Sequence, residues 1–343
     1  MRFGFGLITC QRVPGDPRPD EERYAEALAL AEEAERLGFD SVWVSEHHFV
    51  DDGYLPSLLP MCAAIAARTE RVAIGTALVL APLHDPLRLA EDAAVVDLLS
   101  GGRLVLGVGA GWREEELEAF GVPPTERGSR LEEAVAVLRQ AWSDGVVVGA
   151  GRLRFPRLSV TPKPSRPGGP PIWVGAMAEP AIRRAGRIGD GFMATEVTPA
   201  SFEAQVATAR QERARRGLDQ GRFAVSLHAP VFAWRDGDAW ERVRDHHRYV
   251  AWKYEDMEGA RSRTGPPPAP PPLEPGEEEA LRSTILVGDP ATVAEGIDAF
   301  RRAAGHDLHF IARLYWPGMD PDVQREAMRC FAQDVIPLLR RPS

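Results

Sequence analysis

The stretch that decides the fold is RVAIGTALVLAPLHDPLRLAEDAAVVDLLSGGRLVLGVGAG, residues 71–111. It contains an apolar run at 71–82, a segment of helical periodicity at 85–102 that ends in two glycines, and a second apolar run at 103–111. Both runs are apolar almost throughout, which is typical of parallel strands that are covered on both faces. The stretch therefore predicts one strand–helix–strand unit of a parallel sheet.

The same alternation continues over the whole chain. Strand candidates occur at 2–9, 39–49, 71–82, 103–111, 170–177, 192–197, 222–234 and 306–318. Helical segments occur at 20–38, 55–70, 85–102, 127–144, 178–191, 199–217, 236–255, 286–305 and 320–341. Eight strands with helical connections predict an α/β fold, a (β/α)8 TIM barrel formed by residues 1–343 as a single domain. An open, doubly wound sheet is the alternative.

Two segments interrupt this alternation. Residues 145–169 contain two short extended stretches on either side of a Gly-Ala-Gly turn, which predicts a hairpin insertion. Residues 256–284 are rich in proline and poor in apolar side chains, so they cannot form a packed element. We expect this second segment to be a mobile lid or loop over the barrel mouth.

The composition limits the classes of partner. Hydrophobic residues make up 44% of the 343 residues and the formal net charge is −9. An acidic chain without a basic stripe cannot replace the counterions of nucleic acids or bind anionic membranes in general. Three widely spaced cysteines indicate free thiols in a reducing compartment, and no apolar run is long enough to span a bilayer. The start of the chain is typical of a first strand, not of a signal peptide, so we expect a cytoplasmic protein.

An acid and two histidines follow the second predicted strand, in SVWVSEHHFVDDG (41–53). In a TIM barrel, chemistry takes place at the carboxyl ends of the strands, where Glu46, His47 and His48 fall. Neighbouring strand residues point to opposite faces, so the two histidines do not easily bind one metal ion, and we expect no metal. A histidine that is simply satisfied by a nearby acid is one alternative. An imidazole that acts as acid or base is the interpretation we favour.

Glycines and aromatic residues mark the ends of other strands. Glycines in LGVGAGW (106–112) and WVGAM (173–177) permit either close approach of a ligand or tight packing inside the barrel, and the sequence leaves both open. Tyr54, Trp112 and Trp316 are candidates for the substrate wall, with packing as the alternative. His246 and His247 lie among charged residues of a helix, which predicts exposed side chains.

These motifs together resemble the bacterial luciferase-like, flavin-dependent monooxygenase family. The resemblance covers about residues 1–340 and is carried by SEHHF, by IGTALVLAPLHDPLRLAEDAAVVDLLSGGRLVLGVGAGW, by RFPRLSVTPKP, by PPIWVGAMAEPAIRRAGRIGDGF and by ILVGDPATVAEGI. It implies a barrel that binds reduced FMN or the deazaflavin F420 at its carboxyl-terminal mouth. FMN members of the family activate O2, whereas F420 members transfer hydride.

The resemblance also implies roles for individual residues. His47 would be catalytic, moving a proton near the flavin. The cofactor would contact Glu46, Thr76, Ala77, Leu78, Gly109, Ala110, Gly175, Ala176 and Met177. Family members often have a non-prolyl cis peptide in the GTAL segment, which predicts one between Ala77 and Leu78.

The chain departs from the luciferase pattern around the flavin phosphate. Ala110 replaces an arginine, and Ala176, Met177 and Pro180 replace a Glu-Ser pair and a threonine. The phosphate would then rely on backbone amides near 175–177 and on the start of the following helix.

The resemblance further implies partners. It favours a monooxygenase that uses reduced FMN from a separate flavin reductase, together with O2 and a small organic substrate. An F420-dependent oxidoreductase and a non-catalytic flavin-binding protein are the alternatives. A homodimer is expected, formed by helices beside the second and third strands, with the alanine-rich stretch 62–67 as a candidate contact.

Overall fold

The computed structural model of the protein describes residues 1–149, 151–259, 263–305 and 307–340. The strands in this part of the chain are β1 (Arg2–Ile8), β2 (Ser41–Val44), β3 (Ala73–Thr76), β4 (Val79–Leu80), β5 (Leu104–Gly109), β6 (Ile172–Gly175), β7 (Gly191–Ala194), β8 (Ala224–Ala233), β9 (Leu286–Gly288) and β10 (Leu308–Arg313). All of these strands except β4 and β9 pair in parallel in the order β1-β2-β3-β5-β6-β7-β8-β10.

The ring closes because β10 pairs with both β8 and β1. Phe310 is the partner of Leu227 on one side and of Phe3 on the other. The predicted TIM barrel is therefore confirmed, and the open doubly wound sheet is wrong, since that sheet would leave two edges unpaired.

The helices surround this ring. They are α1 (Asp20–Leu37), α2 (Leu58–Arg68), α3 (Pro86–Leu99), α4 (Glu114–Ala119), α5 (Arg127–Trp142), α6 (Glu179–Ile188), α7 (Pro199–Arg215), α8 (Ala239–Gly259), α9 (Glu277–Arg282), α10 (Pro290–Ala304), α11 (Pro321–Cys330) and α12 (Ile336–Arg340). Asp-Pro pairs begin α3, α10 and α11: the aspartate side chain accepts from backbone N–H groups of the first turn, and proline occupies the first helical position. Such local signals explain why helix starts are readable from sequence.

Three elements differ from the sequence prediction. Residues 286–288 form β9 against the extension of β8 that projects beyond the barrel, whereas the helix predicted at 286–305 with an Asp289-Pro290 start does begin at Pro290. Helices α4 and α9 were not predicted, since six residues are too few to show a helical period. His306 and Arg341, at the limits of predicted elements, lie outside the described residues.

The third predicted strand, 71–82, is divided at a non-prolyl cis peptide between Ala77 and Leu78. The predicted cis bond is confirmed, and a second one joins Gly6 and Leu7. β3 precedes the Ala77–Leu78 bond and pairs with β2 and β5, whereas β4 follows it and pairs with β5.

Aromatic side chains fill the interior of the ring below its mouth. Trp43 and Trp173 stack with ring centroids 5.3 Å apart, and both meet the imidazole of His309 edge-on. A Cβ atom on Gly75 would overlap the Trp43 ring, so this position must be glycine for the indole to fit. Because the interior is packed, the carboxyl-terminal mouth is the part of the barrel that remains for a ligand.

The two interrupting segments connect helices to the strands that follow them: residues 145–169 run from the end of α5 to the start of β6, and residues 256–284 run from the end of α8 to β9. In 145–169, Val147 and Leu158 exchange backbone hydrogen bonds of 2.8 and 3.1 Å, and Ala150 lies outside the described residues. In 256–284, the last turn of α8 and the whole of α9 are helical, and residues 260–262 lie outside the described residues. Mobility of this segment remains our proposal. None of the described helices is long and apolar enough to cross a membrane.

Candidate active site

A buried histidine–glutamate pair lies at the mouth. His47 Nδ1 is 2.9 Å from Glu116 Oε1, which also accepts the backbone N–H of His48 at 2.8 Å. His47 is 5% exposed and Glu116 1%. Loop 45–57 supplies the histidine and the short helix α4 supplies the acid. Because the carboxylate accepts from Nδ1–H, the other ring nitrogen of neutral His47 carries a lone pair.

Glu46 belongs to a separate set of contacts. Its Oε1 lies 2.9 Å from His48 Nε2 and 3.3 Å from His84 Nε2, and its Oε2 is buried without a hydrogen bond. Burial alone would raise the pKa of Glu46, but the hydrogen bonds from the two imidazoles outweigh it and hold the pKa below its ordinary value. Glu46 therefore stays ionised at neutral pH.

Three aromatic rings surround the imidazole of His47. Tyr54, Trp112 and Tyr254 meet it edge-on at centroid distances of 4.8, 5.5 and 5.7 Å. The Tyr54 hydroxyl donates to Ser45 Oγ at 2.9 Å and lies 2.9 Å from the Tyr254 hydroxyl. Burial raises the pKa of Tyr54 well above its usual range, so this phenol remains protonated. The rings keep bulk water away from His47. The polar contact of the imidazole is therefore the one that Nδ1 makes with Glu116.

The glycines of β5 and β6, which we call the glycine wall (Gly107, Gly109 and Gly175), accommodate protein atoms. A Cβ atom on Gly109 would lie 2.8 Å from Leu78 Cδ1, and one on Gly175 would overlap the same methyl group. Thr76 Oγ1 donates to the Gly107 carbonyl at 2.7 Å. The structure thus favours the packing role of these glycines, and Leu78, half-buried, forms the surface that a ligand would meet.

The first turn of α6 begins beside the glycine wall. Its N-cap residue, Ala178, makes no side-chain capping bond. Ala176 is half-buried and Met177 is 55% exposed. Arg183 pairs with Glu179 at 2.6 Å, and its Nη1 is buried without a hydrogen bond. The turn therefore offers backbone N–H groups together with a guanidinium that has an unused donor.

The opposite side of the mouth carries Arg313, the last residue of β10, Thr195, which follows β7, and His228, which lies within β8. Arg313 is 8% exposed, and its guanidinium lies 5.1 Å from the centroid of the Tyr254 ring. His228 Nδ1 is 3.3 Å from Thr195 Oγ1. Burial, and then the charge of Arg313, lower the pKa of His228 to about 3, so this imidazole is neutral at physiological pH.

The structure brings together most of the residues that the sequence singled out. Tyr54 and Trp112 contact His47, whereas Trp316 packs in a separate apolar cluster with Phe232 and Met319. Glu116, Tyr254 and Arg313 were missed. Glu116 carried a weak signal, since it follows a predicted strand end by only a few residues.

The prediction that His246 and His247 are exposed is wrong. His247 is 3% exposed and bonds Thr284 Oγ1 at 2.8 Å, while His246 is half-buried and donates from Nδ1 to the Pro317 carbonyl at 3.0 Å. The described residues contain no group of three or more His, Cys, Asp or Glu side chains that could hold a metal ion.

Comparison with known proteins gives the chain relatives of two cofactor types. A sequence model described as "Luciferase-like monooxygenase" matches residues 1–307. The F420-dependent glucose-6-phosphate dehydrogenase of Nakamurella multipartita is 34% identical over 99% of this chain and 97% of that protein. The oxygenase component of the flavin-dependent trigonelline monooxygenase of Acinetobacter baylyi is 32% identical, over 51% of this chain and 49% of that protein. The match therefore spans about half the length of this second relative.

A solved structure agrees over the whole chain. The crystal structure of the monooxygenase RslO1 from Streptomyces bottropensis superposes with a TM-score of 0.83 at 26% sequence identity, covering 98% of this chain and 99% of that one. The fold similarity therefore includes the loops and helices that build the mouth.

Proposed function

The chain belongs to the luciferase-like monooxygenase family, an oxidoreductase family, and from this premise we propose that it oxygenates a small organic substrate with reduced FMN and O2. The reduced FMN comes from a separate flavin reductase, as the "oxygenase component" in the name of one relative suggests. The observation that carries the proposal is the buried His47–Glu116 pair at the mouth of the barrel.

The residues at the mouth fit a flavin in two respects. The apolar surface of Leu78 and Ala110 suits one face of a planar ring, and the buried Oε2 of Glu46, which lacks a hydrogen bond, can accept a ring N–H. For the phosphate, the amides near Gly175–Met177 and the first turn of α6 provide donors, and Arg183, which pairs with Glu179, adds the unused N–H of its Nη1.

His47 moves a proton at the reacting atoms. When bound, reduced FMN supplies the electrons that activate O2. Glu116 holds the Nδ1 side of the imidazole, so the remaining nitrogen, Nε2, accepts or returns the proton. In the described part of the chain the hydrogen bond of the His47 ring is at Nδ1, which leaves Nε2 available to a ligand. Tyr54, Trp112 and Tyr254 fix the ring between them and exclude water.

Rapid mixing tests the proposal. The complex of the protein with FMNH2 is mixed with O2, and flavin reoxidation is followed by absorbance. We expect reoxidation to be slower than that of free FMNH2 and to show an additional spectral species. Reoxidation at the rate of free flavin would contradict the proposal.

A hydride-transferring oxidoreductase that uses F420 is the second candidate. The relative named as an F420-dependent dehydrogenase favours it, because that match extends over nearly the whole chain. Fluorescence titrations with FMN and with F420 separate the two candidates. Tight binding of F420 with negligible binding of FMN would reverse our order.

A further inference from the structure

Arg313 occupies the mouth at the end of β10. Ile311, two residues earlier, belongs to the apolar cluster inside the ring with Trp43 and Trp173. Because strand side chains alternate, Arg313 points to the same interior side, one layer nearer the mouth. In register, it faces Gly6 of β1 and Pro230 of β8. Neither of these neighbours offers a side chain that could pair with a cation.

Arg313 differs from the other buried cations around the mouth in lacking an anionic partner. Arg113 pairs with Glu115 and donates to the His48 carbonyl at 2.5 Å. Lys253 pairs with Asp51 and with Asp256. Arg313 makes no side-chain hydrogen bond and no ion pair with any residue that the structure describes, and its guanidinium lies over the Tyr254 ring. A buried cation without a counter-ion is costly, which indicates that a ligand completes the pair.

The groups around Arg313 are neutral. Burial, followed by the charge of Arg313, lowers the pKa of His247 to about 4, and His228 is affected in the same way. The Tyr54 and Tyr254 hydroxyls form a hydrogen-bonded pair. The carboxylates of the mouth are engaged elsewhere, Glu46 with histidines and Glu116 with His47. The positive charge of Arg313 is thus available to an incoming anion.

We propose that Arg313 binds a carboxylate of the substrate, so that the enzyme acts on a small organic acid. This inference rests on the proposed function, since it names the substrate class of the same mouth. An unpaired guanidinium matches one negative charge, and its planar fork matches the two oxygens of a carboxylate.

The strand order argues that this anion is part of the substrate and not the flavin phosphate. In the ring β1-β2-β3-β5-β6-β7-β8-β10, β10 lies opposite β5 of the glycine wall and three places from β6, which leads into α6. If Leu78 and the first turn of α6 hold the flavin, Arg313 would not be among the residues that hold its phosphate. Arg313 does lie near His47, because the Tyr254 ring contacts both side chains.

The test compares two arginine substitutions with two types of ligand. Binding of benzoate and hexanoate, and of their neutral amides, is measured by calorimetry for the wild type, Arg313→Gln and Arg183→Gln, with and without FMN. Binding of FMN and riboflavin, which differ by the phosphate, is measured by flavin fluorescence. We expect Arg313→Gln to lower the affinity for at least one of the two carboxylates tenfold or more. The affinities for the corresponding amide and for FMN should change less than twofold. Arg183→Gln should lower the affinity for FMN relative to that for riboflavin and leave the affinities for the carboxylates unchanged.

Three results would overturn the proposal. One is that neither carboxylate binds the wild type, and another is that both bind Arg313→Gln as well as the wild type. The third is a loss of FMN affinity relative to riboflavin in Arg313→Gln, which would place the flavin phosphate there. Arg313-dependent carboxylate binding in a protein that binds no FMN would contradict only the proposed function. The unfolding midpoint of Arg313→Gln should equal or exceed that of the wild type. If Arg313 had a purely structural role, its replacement would lower the midpoint and would weaken binding of the acid and of its amide equally.

Discussion

At the scale of single residues, the site depends on a glutamate far from its histidine in the chain. Glu116 and His47 are 69 positions apart, and one carboxylate oxygen serves both the imidazole and the His48 amide. Glu116 Oε2 is buried and has no hydrogen-bond partner among the described residues, so few bonds hold this carboxylate in place. Its charge stabilises a proton on His47 when the imidazole acts as a base.

Glu116→Gln should lower turnover about 10- to 100-fold with little change in KM, because the amide keeps the position of the imidazole but loses the charge that supports proton transfer. The measurement is product formation by the enzyme coupled to a flavin reductase. The substrate is a carboxylic acid that binds to the wild type. Glu114→Gln, an exposed carboxylate in the same helix, is the matched control and should behave as the wild type. Equal turnover in the two variants would argue that Glu116 is only structural.

Gly175 lies against Leu78, which occupies the space that a side chain at position 175 would need. Gly175→Ala should lower the free energy of unfolding by about 1–3 kcal/mol, since its methyl group would overlap Leu78. Urea denaturation measures the effect. Adding Leu78→Ala should make the double variant more stable than the sum of the single effects predicts. Gly259→Ala is the control, because no heavy atom lies within 4 Å of a Cβ at that position. This variant should show no loss of unfolding free energy from steric overlap.

At the scale of elements, helix starts are encoded locally, whereas the environment of a helix is not. Asp-Pro pairs start three helices, and Thr198 and Ser201 form a capping box at the start of α7. Helix α8 shows the converse. Its charged sequence predicts a surface helix, yet Tyr249 and Lys253 are buried because they bond Asp52 and Asp51 from the loop after β2.

Thr198→Ala should destabilise the protein by about 1 kcal/mol, because it removes the acceptor for the Ser201 N–H. Thermal or urea unfolding gives the value. Thr208→Ala in the middle of the same helix is the matched control: Thr208 bonds back to the Ala204 carbonyl, and alanine has the better helix propensity. The capping explanation fails if both variants lose the same stability.

At the scale of the whole molecule, the packing of distant elements buries His247 and His309 and half-buries His228, which the sequence places in unrelated elements. Burial and nearby positive charge lower the pKa of His309 to about 3, with His228 at about 3 and His247 at about 4. All three are uncharged in the folded protein at neutral pH. In the unfolded chain their pKa values are near 6.5.

Stability should therefore fall as the pH falls below about 6.5, because the unfolded chain then binds protons that the folded protein does not. Above that pH both states are neutral and the full stability is present. Each buried histidine removes about 1.4 kcal/mol per pH unit until its folded pKa is reached. Urea unfolding at pH 7.5, 6.5 and 5.5 measures the slope. His309→Gln should flatten it by about one proton; parallel curves for the two proteins would refute this account.

The sequence by itself determined the barrel, the positions of most helices and the presence of His47 at a strand end. These features are local: apolar runs, helical period, Asp-Pro starts and glycine stops each lie within a few residues. The family resemblance of the GTAL segment, and not its apolar pattern, predicted the cis bond between Ala77 and Leu78.

Only the tertiary structure decided which carboxylate meets His47, that Leu78 fills the space over Gly109 and Gly175, and that no described residue gives Arg313 an anionic partner. The partners in each case come from different strands and loops. They meet only when β10 pairs with β1, because closing the ring brings all eight strand ends to one mouth. Sequence periodicity records which face of its own element a residue occupies, and it contains no information about what a distant loop places opposite.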